Sequence, residues 1–124
     1  MASPRTDAPS DVVARPQPSS PAVIALMQQA SSDRQAGNLD LAVSRLERAV
    51  RIQPQNPMLW HELARIRLQQ QQPRLAEELA KKSIALAQSD TQLIQKNWRL
   101  IAQARKINGD ISGARRAAAK ASSY

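Results

Sequence analysis

Trp60-His61-Glu62-Leu63-Ala64-Arg65 and Trp98-Arg99-Leu100-Ile101-Ala102-Gln103 are two versions of one sentence, and reading them as such decides the fold. Each opens on tryptophan, carries alanine four residues later, and leads through a polar turn into a segment studded with alanines. A third version opens on Leu26. Leu26 and Trp60 lie 34 residues apart, and Trp60 and Trp98 lie 38 apart. A period near 34 with small residues at fixed offsets marks stacked helical hairpins. Function in such a molecule belongs on a surface rather than in a catalytic pocket.

The punctuation around these stretches sets the helix ends. Ser20-Pro21 and Asn56-Pro57 each place a capping residue before a proline, whose missing N–H costs nothing in a first turn. Val23, Leu26, Met27 and Ala30 then recur at helical spacing. Gly37-Asn38 turns the chain, and Leu39 to Ile52 carries Ala42, Val43, Leu46, Ala49 and Val50 on one face before Pro54 ends it. A second hairpin runs from about Pro57 to Gln88, with Gln69 to Gln72 as its turn and Pro73 opening its second helix. That helix is expected to bury Leu75, Ala76, Leu79, Ala80, Ser83 and Ile84. Ser89-Asp90-Thr91-Gln92 reads as a capping box with Ser89 at the cap. The four extra residues in the 38-residue spacing then add about one turn to the start of the fifth helix. That helix reaches about Ile107, Asn108-Gly109-Asp110 turns, and Ile111 to Ser122 forms the sixth. Its apolar positions are Ile111, Ala114, Ala117, Ala118 and Ala121, with Arg115, Arg116 and Lys120 supplying the polar face a terminal repeat needs.

Composition narrows the function classes. The chain has 124 residues, two tryptophans, one tyrosine and no phenylalanine, so its helices must pack closely through alanine and leucine. Cysteine is absent, which excludes disulfides, thiolate metal sites and a cysteine nucleophile. No apolar run approaches the roughly 18 residues that span a bilayer, and no signal peptide is visible. Residues 1–20, broken by Pro4, Pro9, Pro16 and Pro18, read as a disordered linker biased to extended conformations of roughly 3 Å per residue. The formal charge is +8. Residues 91–124 hold seven Lys or Arg against Asp110 alone, so the basic character belongs to the C-terminal third and suits an acidic partner.

With these residues in place the chain resembles the tetratricopeptide repeat family. The first repeat matches the family pattern with Leu26, Ala30, Gly37, Ala42, Ala49 and Pro54. The second matches with Trp60, Ala64, Ala76 and Ser83, but has Gln71 for the turn glycine and Gln88 for the closing proline. The third matches with Trp98, Ala102, Gly109, Ala114 and Ala121. The resemblance implies an all-α, right-handed solenoid of three repeats (about 21–56, 57–90 and 91–124) and six helices, one domain over 21–124. Ala30 with Ala42, Ala64 with Ala76, and Ala102 with Ala114 should mark the helix crossings, with Ala49 and Ser83 facing the next repeat. Bulk at Ala64 or Ala102 should overpack.

The resemblance also implies a concave groove lined by the first helix of each repeat. Partner-binding candidates on it are Arg34, Met58, His61, Glu62, Arg65, Lys96, Arg99, Gln103 and Lys106. Ile24, Met27, Gln28, Ser31, Gln35, Leu68, Gln69, Leu100 and Ile107 share the same faces. Five cations stand against Glu62 alone, which suits a carboxylate-bearing peptide or protein surface with Arg as the bidentate contact. The chaperone-type carboxylate clamp is not expected: Met27, Ser31, Glu62 and Leu100 occupy four of its positions, and only Lys96 is kept.

No enzyme, cofactor or metal site is expected. His61 is the only histidine, is expected to make a surface hydrogen bond in the groove, and points about 100° from its neighbour Glu62. No phosphate loop, nucleophile elbow or ligand-spaced cluster occurs. Specific nucleic-acid binding is not expected, because the tryptophans sit at repeat positions read as buried and only Tyr124 remains for stacking. The chain is similar to bacterial outer-membrane lipoproteins, in particular the pseudomonad activators of bifunctional peptidoglycan synthases, the penicillin-binding proteins. That likeness implies a non-enzymatic periplasmic regulator, tethered to the outer membrane through a lipid anchor upstream of this chain. The competing reading is a cytosolic scaffold or secretion chaperone. A monomer is favoured over a dimer formed through the alanine-rich last helix.

Overall fold

A computed structural model describes residues 19–124; the linker expected over 1–20 lies outside the described residues apart from Ser19 and Ser20. Among the described residues the chain forms six helices and no strand: α1 (Pro21–Gln35), α2 (Leu39–Ile52), α3 (Pro57–Gln69), α4 (Pro73–Ala87), α5 (Thr91–Ile107) and α6 (Ile111–Ser122). Each helix packs on its chain neighbours, and the first helices of the second and third repeats also touch, α3 on α5. Among the described residues no helix is long and apolar enough to cross a membrane.

The capping residues act as their sequence suggests. Ser20 Oγ accepts from the Val23 amide at 3.2 Å, and Asn56 Oδ1 accepts from the Met58 amide at 3.0 Å. At the start of α5 the cap is Asp90 rather than Ser89: its Oδ1 accepts from the Leu93 amide at 3.1 Å. An ionised carboxylate at a helix N-terminus also meets the positive end of the helix dipole. The added turn is real, since α5 has 17 residues and α3 has 13.

All three hairpin turns share one hydrogen-bond pattern. Asn38, Gln72 and Asp110 donate their amides back to the carbonyls of Asp33, Arg67 and Arg105 at 2.8, 3.0 and 2.8 Å. This is the Schellman closure, which needs one left-handed residue before the donor. Gly37 and Gly109 take that role at φ +84°, and Gln71 takes it at φ +61°. Glutamine therefore adopts the glycine geometry at a backbone cost of roughly 1–2 kcal/mol. Gln88, which replaces the closing proline, also has a positive φ of +53°, but its ψ of −108° sets it apart from those turn residues.

The core is built from small residues set among a few large ones. Val23, Leu26, Ala30, Ala42, Val43, Leu46, Ala49, Leu59, Leu63 and Ile66 form one cluster across the first repeat and α3. Ala64, Ala76, Ala80, Leu100, Ile101 and Ala117 form a second. Ala30, Ala42, Ala64 and Ala76 are buried, and so are Ala49 and Ser83. Ala102 and Ala114, in the third repeat, are only half-buried. In α4 the buried stripe is Ala76, Ala80, Ser83 and Ala87, while Leu75, Leu79 and Ile84 are half-buried. In α6 the buried stripe is Gly113, Ala117 and Ala121. Ile111, at 49% exposure, and Ala118 turn outward, contrary to the apolar reading of that helix. Gly113 is there because a β-carbon would strike the Asp110 carboxylate, which caps the helix through the Gly113 amide at 2.9 Å.

The tryptophans are half-buried rather than buried, each beneath a lysine of the following helix. Lys82 Nζ lies 5.6 Å from the Trp60 ring centre, and Lys120 Nζ 5.3 Å from that of Trp98. Trp60 Nε1 donates to the Pro54 carbonyl at 2.8 Å. Trp98 Nε1 is buried without a partner, since the added turn of α5 replaces the loop that serves Trp60.

Candidate groove and the buried polar chain beneath it

The first helix of each repeat turns its polar positions to a common side, where two adjoining depressions open. One, of about 410 Å³, is lined by Met58, His61, Glu62, Arg65, Lys96, Arg99, Leu100 and Gln103. The other, of about 310 Å³, shares Arg65, Leu100 and Gln103 and adds Arg34, Leu68 and Gln69. The structure therefore gathers eight of the nine candidate residues. Lys106, exposed in the last turn of α5, lines neither depression. Leu100 is almost fully buried and forms an apolar floor, with half-buried Met58 and Leu68 beside it.

The charge of this surface is largely uncompensated. Arg65 Nη1 reaches both oxygens of Glu62, at 3.2 and 3.3 Å. Arg34, Lys96 and Arg99 form no ion pair among the described residues. Two arginines outside the groove are tied into the fold: Arg45 meets Asp33 at 2.6 Å, and Arg105 grips both oxygens of Glu77 while also donating to the Gly113 carbonyl. The guanidinium of Arg105 is the main cause holding the Glu77 carboxyl below the usual carboxylate range. Arg45 and Arg105 are thus committed to the fold, whereas Arg34, Lys96 and Arg99 are not.

His61 is not the surface histidine expected. It is 7% exposed, and its Nδ1 lies 2.8 Å from Asn97 Oδ1. Asn97 Nδ2 donates to Ser83 Oγ at 2.8 Å, and Ser83 Oγ donates to the Pro57 carbonyl at 2.8 Å. This chain ties α3, α4 and α5 together under the groove floor. Asn97 and Ser83 are both fully buried, and neither was singled out for polar chemistry by sequence reasoning. A signal was present: Asn97 stands where the second repeat has Leu59, and Ser83 where the first has Ala49. Two apolar positions turn polar together, as buried hydrogen-bond partners must. Burial is the main cause that pulls the imidazole below its ordinary 6.5, with Arg65 and Lys96 adding to the effect and Asn97 and Glu62 opposing it. Among the described residues no cluster of His, Asp or Glu is arranged to hold a metal ion.

Comparison with known proteins places this architecture. The tetratricopeptide repeat profile matches residues 33–104. No curated protein sequence matches the chain at a significant level. Among solved structures, the chain is similar to the globular C-terminal domain of P. aeruginosa LpoP, with 37% identity and a TM-score of 0.82 over 83% of this chain and 97% of that one. It is also similar to the N-terminal domain of stress-induced protein-1 from C. elegans, with 16% identity and a TM-score of 0.76 over 82% of this chain and 83% of that one. The second likeness concerns the fold alone.

Proposed function

The chain belongs to the tetratricopeptide repeat family, and from that premise we propose that it is a periplasmic, outer-membrane-anchored lipoprotein regulator that binds and activates a bifunctional peptidoglycan synthase. Its fold is that of a protein-interaction module. The observation that carries the finer reading is the likeness to the LpoP domain, which extends over nearly all of that domain at 37% identity. Pro/Ser-rich residues 1–20, preceding the repeats, suit a tether between an anchor and a reaching module. The groove supports a partner surface bearing carboxylates: Arg34, Lys96 and Arg99 have no ion pair among the described residues and stand beside the apolar floor of Leu100.

Binding here is by surface complementarity, with no bond made or broken by this chain. Arginine forks engage carboxylates bidentately, and Met58, Leu68 and Leu100 cover apolar side chains between them. Activation then follows mass action, since a ligand that prefers the active arrangement of a synthase shifts it by the difference in affinity for its two states. The test is capture of a purified bifunctional synthase, with its rate of glycan synthesis measured beside it. Glu substitutions at Arg65, Arg99 and Lys106 abolish capture if the groove is the site. Undiminished capture by that triple variant overturns the groove, and no capture by the unaltered protein overturns the synthase assignment. A native gene product lacking a lipidated cysteine upstream overturns the anchoring.

A further inference from the structure

The groove is rich in donors, and one residue on its floor is wired to do the opposite. The buried chain runs in a single direction, and its direction follows from chemistry alone. The Pro57 carbonyl has only lone pairs to offer, so the Ser83 hydroxyl must donate to it across 2.8 Å. With its proton committed, Ser83 Oγ must accept, and only the amide side of Asn97 can donate to it. That orientation turns Asn97 Oδ1 toward His61 Nδ1 at 2.8 Å. The reverse orientation would set the Asn97 Oδ1 lone pairs against those of Ser83 Oγ, whose proton is already committed to Pro57. Oδ1 is an acceptor, so the imidazole proton sits on Nδ1.

The remaining ring nitrogen, Nε2, then carries a lone pair. Trp98 Nε1 is the one buried side-chain polar atom without a partner among the described residues, and His61 makes no further hydrogen bond. Nε2 is therefore the atom through which His61 meets the groove it lines. The charged groups around it are Glu62 and Arg65 on α3 and Lys96 and Arg99 on α5; α4 contributes only the neutral Ser83. Glu62 is occupied by Arg65, which leaves few acceptors facing a ligand.

We infer that His61 is a specificity-determining residue of the groove: a hydrogen-bond acceptor, locked in its Nδ1–H form by Asn97, Ser83 and Pro57, that reads an N–H or O–H donor on an acidic partner segment. This rests on the groove being the binding surface proposed above. A segment carrying carboxylates alone satisfies Lys96 and Arg99 but leaves Nε2 desolvated and unpaired. A segment that presents a backbone amide or hydroxyl beside its carboxylate satisfies both. A single binding site thereby distinguishes a folded or extended polypeptide with free donors from a simple polyanion, whose groups only accept.

The wiring is tested on the free protein and its use on the complex. Long-range proton–nitrogen NMR of the imidazole should find Nδ1 protonated and Nε2 bare near neutral pH; the opposite tautomer overturns the inference whatever binds. Capture of the purified synthase should then weaken about three- to tenfold in His61→Phe, the loss of one hydrogen bond. Since that variant strands Asn97, a second one, Asn97→Leu with Ser83→Ala, removes the lock and leaves His61 free to change tautomer. It should weaken capture in the same direction while Arg99→Ala weakens capture in both backgrounds. Equal capture by the unaltered protein, His61→Phe and the Asn97→Leu, Ser83→Ala variant overturns the acceptor role while leaving the groove assignment intact. Failure of the unaltered protein to capture the synthase sinks both readings together.

Discussion

Where α2 meets α3, the buried positions facing the first junction are Val23, Ala49 and Leu59, with Met27 alongside. One repeat later, where α4 meets α5, the corresponding positions hold Pro57, Ser83, Asn97 and His61. The two junctions share a register and differ in what joins them. The first is sealed by apolar burial, which is non-directional and tolerates small adjustments. The second adds to its apolar contacts a chain of hydrogen bonds whose donors and acceptors match, which fixes one arrangement and penalises any partial version of it. The hydrogen-bonded chain of the second junction runs beside apolar contacts of Ala80 with Ile101 and of Ala87 with Leu93 and Ile94.

Exchanging residues between the junctions should expose this difference. The largest effect is expected from Leu59→Asn, which puts an unpartnered amide and a void into the apolar junction. About 3–5 kcal/mol of stability should be lost in urea unfolding. Adding Ala49→Ser should return part of that loss; a double variant no better than the single one would break the comparison. Next comes Asn97→Leu, which strands the His61 N–H and loosens Ser83. A loss of about 2–4 kcal/mol is expected from the unsatisfied groups. The triple variant His61→Met, Ser83→Ala, Asn97→Leu copies the first junction and should lose much less than its parts sum to.

Ala64 and Ala102 sharpen the contrast between the middle of the stack and its end. Ala64→Leu should cost about 1–3 kcal/mol by overpacking, whereas Ala102→Leu, at a half-buried position, should stay within about 0.5 kcal/mol. Equal losses at both sites would mean that the terminal repeat packs as tightly as the inner one. A gain is expected at Gln71, where the second turn uses glutamine in the left-handed geometry of Gly37 and Gly109. Gln71→Gly should raise stability by about 1 kcal/mol, offset in part by the entropy of glycine in the unfolded chain.

The smallest effect is a difference in acid sensitivity. The folded protein holds His61 below its ordinary 6.5, so as pH falls the unfolded chain takes up that proton first. Stability from this site is therefore complete above 6.5 and declines as pH drops below it. Glu77 is held below its ordinary 4.5, mainly by Arg105, so its contribution persists above that value and fades as pH falls through it. Urea midpoints against pH should show both declines, and the triple variant that replaces His61 should lose the upper one alone. Persistence of the upper decline would assign it to another group.

The turns, the helix starts and the repeat phase were legible because each is a local constraint. Ser20 and Asn56 cap helices whatever lies beyond them, and the four residues added before Trp98 lengthen α5 by one turn in any packing. The groove candidates were legible as a set because helical periodicity puts Arg65, Gln103 and their neighbours on repeating faces, and repetition stacks those faces side by side.

What periodicity does not specify is which polar residue turns inward and whom it meets. His61 reads as a groove residue by spacing, yet its partner Asn97 lies 36 residues away and Ser83 another 14 from that. Ile111 reads as core, yet in α6 it is Gly113, Ala117 and Ala121 that face the stack, while Ile111 is 49% exposed. Local sequence determined the six helices, their caps and their stacking rhythm, since those depend on neighbours a few residues away. Only tertiary packing decided the buried polar chain, the tautomer of His61 and the free charge of the groove, since each depends on groups that folding brings together from different helices.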